Sequence, residues 1–196
     1  MDSLSKPEWR AHVLRERRAV PLGTRASEAR TLAARAVSFV AATAPAGATV
    51  CAYVPVGSEP GSVAMLDGLR TAGYRVLVPV TGEPGPLRWA EFTGDDSLVA
   101  AGHGLREPTG PVLPVGVVAS AAVIFVPALA VDEQGARLGR GAGFYDRTLG
   151  AVRPDTALVA VVRDAELVPS LPADPHDVPM RYALTPGRGL VPLGSE

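Results

Sequence analysis

The chain has 196 residues, 47% of them hydrophobic and 20% charged, with a formal net charge of -1 at pH 7. That balance suits a folded chain with one core and excludes a disordered polyelectrolyte. It also provides no bulk attraction for nucleic acid or an anionic membrane, and the single cysteine, Cys51, rules out an internal disulfide. The N-terminus lacks an apolar leader, and no run of about 18 apolar residues occurs, so a cytoplasmic location without a membrane partner is expected. Of the 19 Lys and Arg residues only one, Lys6, is lysine. A compact ammonium can do what a planar guanidinium cannot, which marks Lys6 for scrutiny.

Ser5-Lys6-Pro7-Glu8 predicts a helix start, with Ser5 as cap, Pro7 in the first turn and Glu8 completing a capping box. This helix runs through Trp9, His12, Val13 and Leu14 and ends at Pro21-Leu22-Gly23. A second helix begins at Thr24, with Ala33, Ala34, Val37, Phe39 and Val40 on its candidate buried face. From residue 48 the pattern becomes α/β. Ala48–Val54 reads as an apolar strand, followed by a loop carrying Glu59; Ser62–Ala72 reads as a helix and Arg75–Val80 as a strand. Leu87–Phe92 alternates as an edge or antiparallel strand does, and residues 93–118 read as loop. Ala121–Pro127 and Ala157–Val162 are continuous apolar strands of the kind covered on both faces. Gly143–Val152 is a predicted helix, and the Pro-rich remainder carries His176 and Asp177. Alternating strands and helices predict an α/β fold: a mostly parallel sheet with helices on both faces, preceded by two helices. The whole chain, 1–196, is read as a single domain, with only a weak boundary near residue 45.

The segment from Val126 to Arg147, V-P-A-L-A-V-D-E-Q-G-A-R-L-G-R-G-A-G-F-Y-D-R, carries the strongest chemical signal. A buried strand delivers a loop with glycines at 139, 141 and 143 flanked by Arg137 and Arg140, and a helix follows at once. Glycine lets backbone N–H groups approach an anion, a helix start adds partial positive charge, and guanidinium forks bind phosphate. Asp146, just inside the helix, could reach a magnesium ion shared with such phosphates. The spacing matches neither the Walker A loop nor the dinucleotide fingerprint, and tight turns also use glycine for steric reasons alone.

R-L-G-R-G-A-G-F-Y-D-R, preceded by V-P-A-L-A-V-D, resembles the signature of the 5-formyltetrahydrofolate cyclo-ligases, also called methenyltetrahydrofolate synthetases. Lys6–Arg10, Tyr53–Glu59, Gly104–Pro108 and Pro175–Pro179 resemble other motifs of that family in the same order. The resemblance implies a fold like that of sugar-phosphate isomerases and CoA transferases. It implies a reaction in which ATP phosphorylates the formyl oxygen of 5-formyltetrahydrofolate, giving 5,10-methenyltetrahydrofolate, ADP and phosphate. ATP would be bound by Lys6, Pro7, Glu8, Trp9 and Arg10, and by Arg137, Leu138, Gly139, Arg140, Gly141, Ala142, Gly143, Phe144 and Tyr145. Lys6 and Arg140 would be the catalytic cations. Val54, Glu59, Arg140, Gly141, Ala142, Gly143 and Phe144 would line the folate site, and Asp146 and Asp177 would hold Mg2+. The expected partners are these small molecules alone, with the chain acting as a monomer.

Other readings of the same residues stay open. Lys6 and Arg10 lie one turn apart, as residues on a solvated helix face also do, and Asp177 could simply cap a turn. His12 and His103 have no ligand-spaced Cys or acid, which argues against zinc; His176 is assigned no role, and no G-x-S-x-G elbow occurs. Phe144 stands where the family has tyrosine, the P-G-S after Glu59 departs from the family pattern, and Arg181 stands where an acid is expected. A folate- or nucleotide-binding protein without turnover, and a CoA transferase-like enzyme on the same fold, are the alternatives.

Overall fold

The computed structural model describes residues 4–80, 82, 85–174 and 177–194, with the side chain of His103 outside that set. In chain order it contains α1 (Lys6–Ala19), α2 (Leu22–Thr43), β1 (Thr49–Cys51), α3 (Val63–Thr71), β2 (Arg75–Val80), β3 (Arg88–Glu91), β4 (Leu98–Ala100) and β5 (Arg106–Pro108). A 3-10 segment, Val115–Ser120, leads into β6 (Ala121–Pro127), β7 (Ala130–Asp132), β8 (Arg137–Leu138) and α4 (Phe144–Leu149). β9 (Ala157–Val161), β10 (Leu167–Val168), β11 (Tyr182–Thr185) and β12 (Gly189–Pro192) complete it.

α1 starts as its sequence predicts: the Glu8 carboxylate accepts from the Ser5 N–H at 2.8 Å and from its hydroxyl at 2.5 Å. α2 starts at Leu22 rather than Thr24, because Pro21, extended with φ -60° and ψ 148°, already serves as its N-cap. The seven-stranded sheet has the order β12-β11-β9-β6-β1-β2-β3. Its five inner strands are parallel, and β3 and β12 are antiparallel edges.

Period-2 alternation assigns the side chains to two cores. Val50, Val76, Val78, Val123, Phe125, Val159, Val161 and Leu184 face α2 and α3, against Leu32, Ala36, Phe39, Met65 and Leu69. Cys51, Leu77, Ile124, Val126, Leu158, Ala160 and Ala183 face the other way, against Val118 of the 3-10 segment and Leu149 of α4. Both faces are covered, as the long apolar strands require. α2 shares the first core with the sheet.

Several expectations need adjustment. β1 is shorter than 48–54: the Ala52 N–H still bonds the Leu77 carbonyl of β2 at 2.9 Å, but Tyr53 and Val54 lie beyond the pairing, and α4 stops at Leu149 rather than Val152. The stretch read as loop holds the β4–β5 hairpin and the 3-10 segment, and the Pro-rich remainder holds β11 and β12. A separate three-stranded sheet, β10-β7-β8, receives α1 through Val13, Leu129, Ala130, Leu138 and Val168. In the main sheet the strand order reverses between β1 and β6, and ligands of open α/β sheets bind outside the strand carboxyl ends at such a switch point.

Candidate active site

One stripe of α1 carries Lys6, Arg10, Val13 and Arg17, spaced as one face of a 3.6-residue helix. Val13 is buried, and Arg17, only 1% exposed, grips Glu166 with a fork: Nε to Oε1 at 2.7 Å and a terminal nitrogen to Oε2 at 2.8 Å. The same terminal nitrogen donates to the Ala128 carbonyl at 2.6 Å. This face is therefore turned to protein rather than to solvent. Lys6 Nζ donates to Asp174 at 2.6 Å and Asp177 at 3.0 Å, and Arg10 Nε donates to the Gly139 carbonyl at 2.9 Å. Burial by itself would lower the Lys6 pKa, but the bonds to Asp174 and Asp177 outweigh it and leave it raised.

The glycine loop hangs from the β7–β8 hairpin, and buried Asp132 sets its geometry. One Asp132 oxygen accepts the Gln134 and Ala136 N–H groups at 3.1 and 2.8 Å, and the other accepts the Leu171 N–H at 2.9 Å. One carboxylate thus ties the hairpin to the segment that leads into Asp174. Arg137 forms an ion pair with Asp146, and its guanidinium lies 5.8 Å from the centre of the Tyr145 ring. Arg140 Nε donates at 3.0 Å to Glu59, whose other oxygen accepts the Val56 N–H at 2.9 Å. Gly141 has φ +101° and Gly143, the N-cap of α4, has φ +69°. Both are conformations that non-glycine residues rarely adopt. Gly139 lacks that constraint, but a Cβ there would stand 2.7 Å from an Arg137 nitrogen. α4 has six residues and so little dipole to offer; the positive charge of the loop comes mainly from its arginines.

A cavity of about 380 Å³ opens at the switch point. It brings together Val54, Glu59, Arg137, Gly139, Arg140, Gly141, Ala142, Gly143, Phe144, Tyr145 and Asp146. Lys6, Arg10, Trp9 and Asp177 lie outside its lining, with Arg10 touching the loop through Gly139. Pro7 and Glu8 are exposed, and Glu8 is engaged in the capping box. The Leu138 side chain is in the core, so only its backbone can face a ligand. Reading by residue missed Arg17, Tyr53, Arg106 and Glu107 in the lining, and Asp174 beside Lys6. Arg17 was detectable, since it continues the Lys6–Arg10–Val13 stripe. Cys51 is buried, with its thiol pKa pushed up to about 12, which suits a packing residue. Burial raises the pKa of the Tyr145 hydroxyl; the Glu59 charge adds to the rise and Arg137 opposes it. Arg181 bonds the Pro154 carbonyl, away from the cavity, and His176 lies outside the described residues.

The donor chemistry fits magnesium held jointly with phosphate. Mg2+ commonly takes one or two carboxylates and completes its shell with substrate oxygens and water. Asp146 lines the cavity and Asp177 is mostly buried beside Lys6. Among the described residues no group of three His, Cys, Asp or Glu could hold a metal by itself. No described helix is long and apolar enough to cross a membrane.

A model of the 5-formyltetrahydrofolate cyclo-ligase family matches residues 2–186. The 5-formyltetrahydrofolate cyclo-ligase of Mycolicibacterium smegmatis is 51% identical over 98% of this chain and 100% of its own length. That of Escherichia coli is 32% identical over 71% of this chain and 79% of its own. Among solved structures, the 5,10-methenyltetrahydrofolate synthetase of Aquifex aeolicus superposes with a TM-score of 0.75 at 25% identity, covering 97% of this chain and 94% of that one. The Mycoplasma pneumoniae synthetase gives 0.74 at 16% identity, covering 92% and 98%, and supports the fold.

Proposed function

Because the chain belongs to the 5-formyltetrahydrofolate cyclo-ligase family, we propose that it converts 5-formyltetrahydrofolate to 5,10-methenyltetrahydrofolate, with ATP as co-substrate. The observation that carries this reading is the switch-point cavity, whose lining gathers the glycine loop, the Arg137 guanidinium and the Glu59 carboxylate paired with Arg140. A formyl oxygen leaves poorly by itself. It attacks the γ-phosphorus, forming an O–P bond as the bond to the bridging oxygen of ADP breaks. The folate N10 then attacks the activated formyl carbon; the C–N bond forms, the C–O bond breaks, and the N10 proton leaves with the released phosphate.

Phosphoryl transfer asks the protein for position and charge neutralisation. Arg137 and Arg140 supply guanidinium donors at the cavity, Arg10 reaches the glycine loop from α1 at the Gly139 carbonyl, and Lys6, one turn earlier, would meet the nucleotide from beside Asp177. Each of these four side chains is already bonded to a carboxylate or a carbonyl, so binding exchanges partners and does not order free chains. Release of Arg140 from Glu59 leaves that carboxylate to accept N–H groups of the pterin. Asp146 and Asp177 would hold Mg2+, which supplies positive charge to the transferring phosphate. Val54 and Phe144 provide apolar walls for the folate, and the protein acts in the cytoplasm on small molecules.

The test is direct. Purified protein with 5-formyltetrahydrofolate and magnesium ATP should develop the near-ultraviolet absorbance of the methenyl product, with one ADP released per turnover. Binding of both compounds without product would make it a binding protein. Turnover that requires CoA and ignores ATP would make it a transferase.

A further inference from the structure

The mostly buried carboxylate of Glu59 is held in two ways. From the cavity it is held by Arg140, whose side chain is half exposed and which the proposed reaction releases. What then keeps the carboxylate in place is its own loop. Its Oε2 accepts the Val56 N–H at 2.9 Å, and its backbone N–H donates to the Val56 carbonyl at 3.1 Å. The carbonyls on either side of Glu59 are both taken by buried side chains. Arg163 donates a terminal nitrogen to the Ser58 carbonyl at 3.1 Å, and the Tyr53 hydroxyl donates to the Pro60 carbonyl at 2.5 Å. The two pins differ in one respect. Tyr53 lines the cavity, whereas Arg163, just after β9, does not.

We infer that Arg163, anchored by Glu28 of α2, is a positioning residue for folate: by fixing the Ser58 carbonyl it sets where the Glu59 carboxylate meets the pterin N–H groups. The inference rests on the proposed role of Glu59. A buried guanidinium needs counter-charge and acceptors, and these fix where it stands. Arg163 Nε donates to Glu28 at 2.8 Å, and the nitrogen that holds Ser58 lies 3.8 Å from Glu166. The Arg163 backbone N–H is bonded to Glu166 as well, at 2.8 Å, so the residue is tied down at both ends. A carboxylate that accepts two N–H groups side by side tolerates little displacement, because hydrogen bonds weaken steeply with misalignment. Supporting contacts one residue away therefore bear on ligand affinity. Arg163 reaches the ligand only through the loop, so a change there reports positioning without a lost contact.

The test measures dissociation constants for 5-formyltetrahydrofolate and for ATP separately, with the full chain. Arg163→Met removes the bonds to Ser58 and Glu28 but keeps the backbone N–H that Glu166 accepts, so Arg17 retains its partner. It should weaken folate binding about tenfold, the size of one misplaced hydrogen bond to a charged group, and leave ATP affinity within about twofold. Glu28→Ala frees Arg163 from its anchor and should weaken folate binding about threefold, the worth of a partly exposed ion pair. That variant decides the matter alone if Arg163→Met does not fold. The signature of action through Glu59 is a double variant. On a Glu59→Gln background, Arg163→Met should cost less than about twofold further, because the group it positions is already altered. Parental folate affinity in Glu28→Ala overturns the inference. So does an equal loss of ATP affinity, or a full tenfold loss on the Glu59→Gln background. Parental folate affinity in Glu59→Gln alone instead overturns the role of Glu59, and a parent that binds no 5-formyltetrahydrofolate overturns the proposed function.

Discussion

Two sets of ion pairs lie within reach of the same cavity, and they differ in burial far more than in geometry. In its wall, Arg17 grips Glu166, whose Oε2 also accepts the Arg163 N–H at 2.8 Å, and Arg163 donates in turn to Glu28 at 2.8 Å. At its mouth and flank, Arg140 meets Glu59 at 3.0 Å, and Lys6 meets Asp174 and Asp177 at 2.6 and 3.0 Å. The Arg17 side chain is 1% exposed and the Arg140 side chain 52%. A buried pair cannot lose one member without stranding a charge in a low dielectric. An open pair gains little from its own attraction and can exchange its partner for a phosphate at small cost. The first set therefore fastens α1 and the strand ends together, while the second remains available to a ligand.

The largest expected effect tests the buried set. Glu166→Ala should lower unfolding free energy in urea by about 3–5 kcal/mol, because Arg17 is left buried without its carboxylate. A loss below about 1 kcal/mol would remove the distinction between the two sets. Lys6→Ala comes next and should act on the ligand alone. It should raise the KM for ATP on the order of 10- to 100-fold, the size of a lost charge-assisted contact to phosphate. Stability should change by about 1 kcal/mol or less, and Lys6→Arg should not restore the kinetics, since a fork does not replace a point charge. Near-parental ATP kinetics in Lys6→Ala would return Lys6 to a purely structural pairing with Asp174.

The glycine loop sharpens the contrast between strain and binding. Gly141→Ala should cost about 1–2 kcal/mol whatever the ligand, because its backbone suits only glycine. Loss of ATP binding in that variant would mix two causes. Gly139→Ala separates them: it should leave stability nearly unchanged while displacing the Arg137 guanidinium and reducing the rise in melting temperature given by ATP. A full ATP-induced rise would show that Arg137 does not contact the nucleotide. The smallest effect on the free protein is expected for Arg140→Ala. It should unfold within about 0.5 kcal/mol of the parent, as exposed substitutions do, yet lose much of the stabilisation by ATP. Marked destabilisation would place Arg140 with the buried set.

Local signals in the sequence sufficed for the elements that carry strong patterns. The capping box at Ser5–Glu8 announced α1, and the apolar runs at 75–80, 121–127 and 157–162 announced β2, β6 and β9, since strands covered on both faces admit few polar residues. The hairpin of β11 and β12 was missed because Thr185-Pro186-Gly187 and the prolines before it dominate a local reading. β1 was overextended because Ala52–Val54 are as apolar as a strand, yet Val54 is apolar as a wall of the cavity.

By itself the sequence determined the α/β class and the glycine-arginine loop, because each depends on neighbours within a few positions; Val54 and Glu59 were named through the family resemblance alone. Tertiary structure decided which charges are buried and which are open. Arg17 and Glu166 lie 149 residues apart and Lys6 and Asp174 168 apart, and no local spacing relates either pair. Whether an arginine fastens the fold or awaits a phosphate depends on how much solvent surrounds it, and solvent is excluded by chain from everywhere else in the molecule.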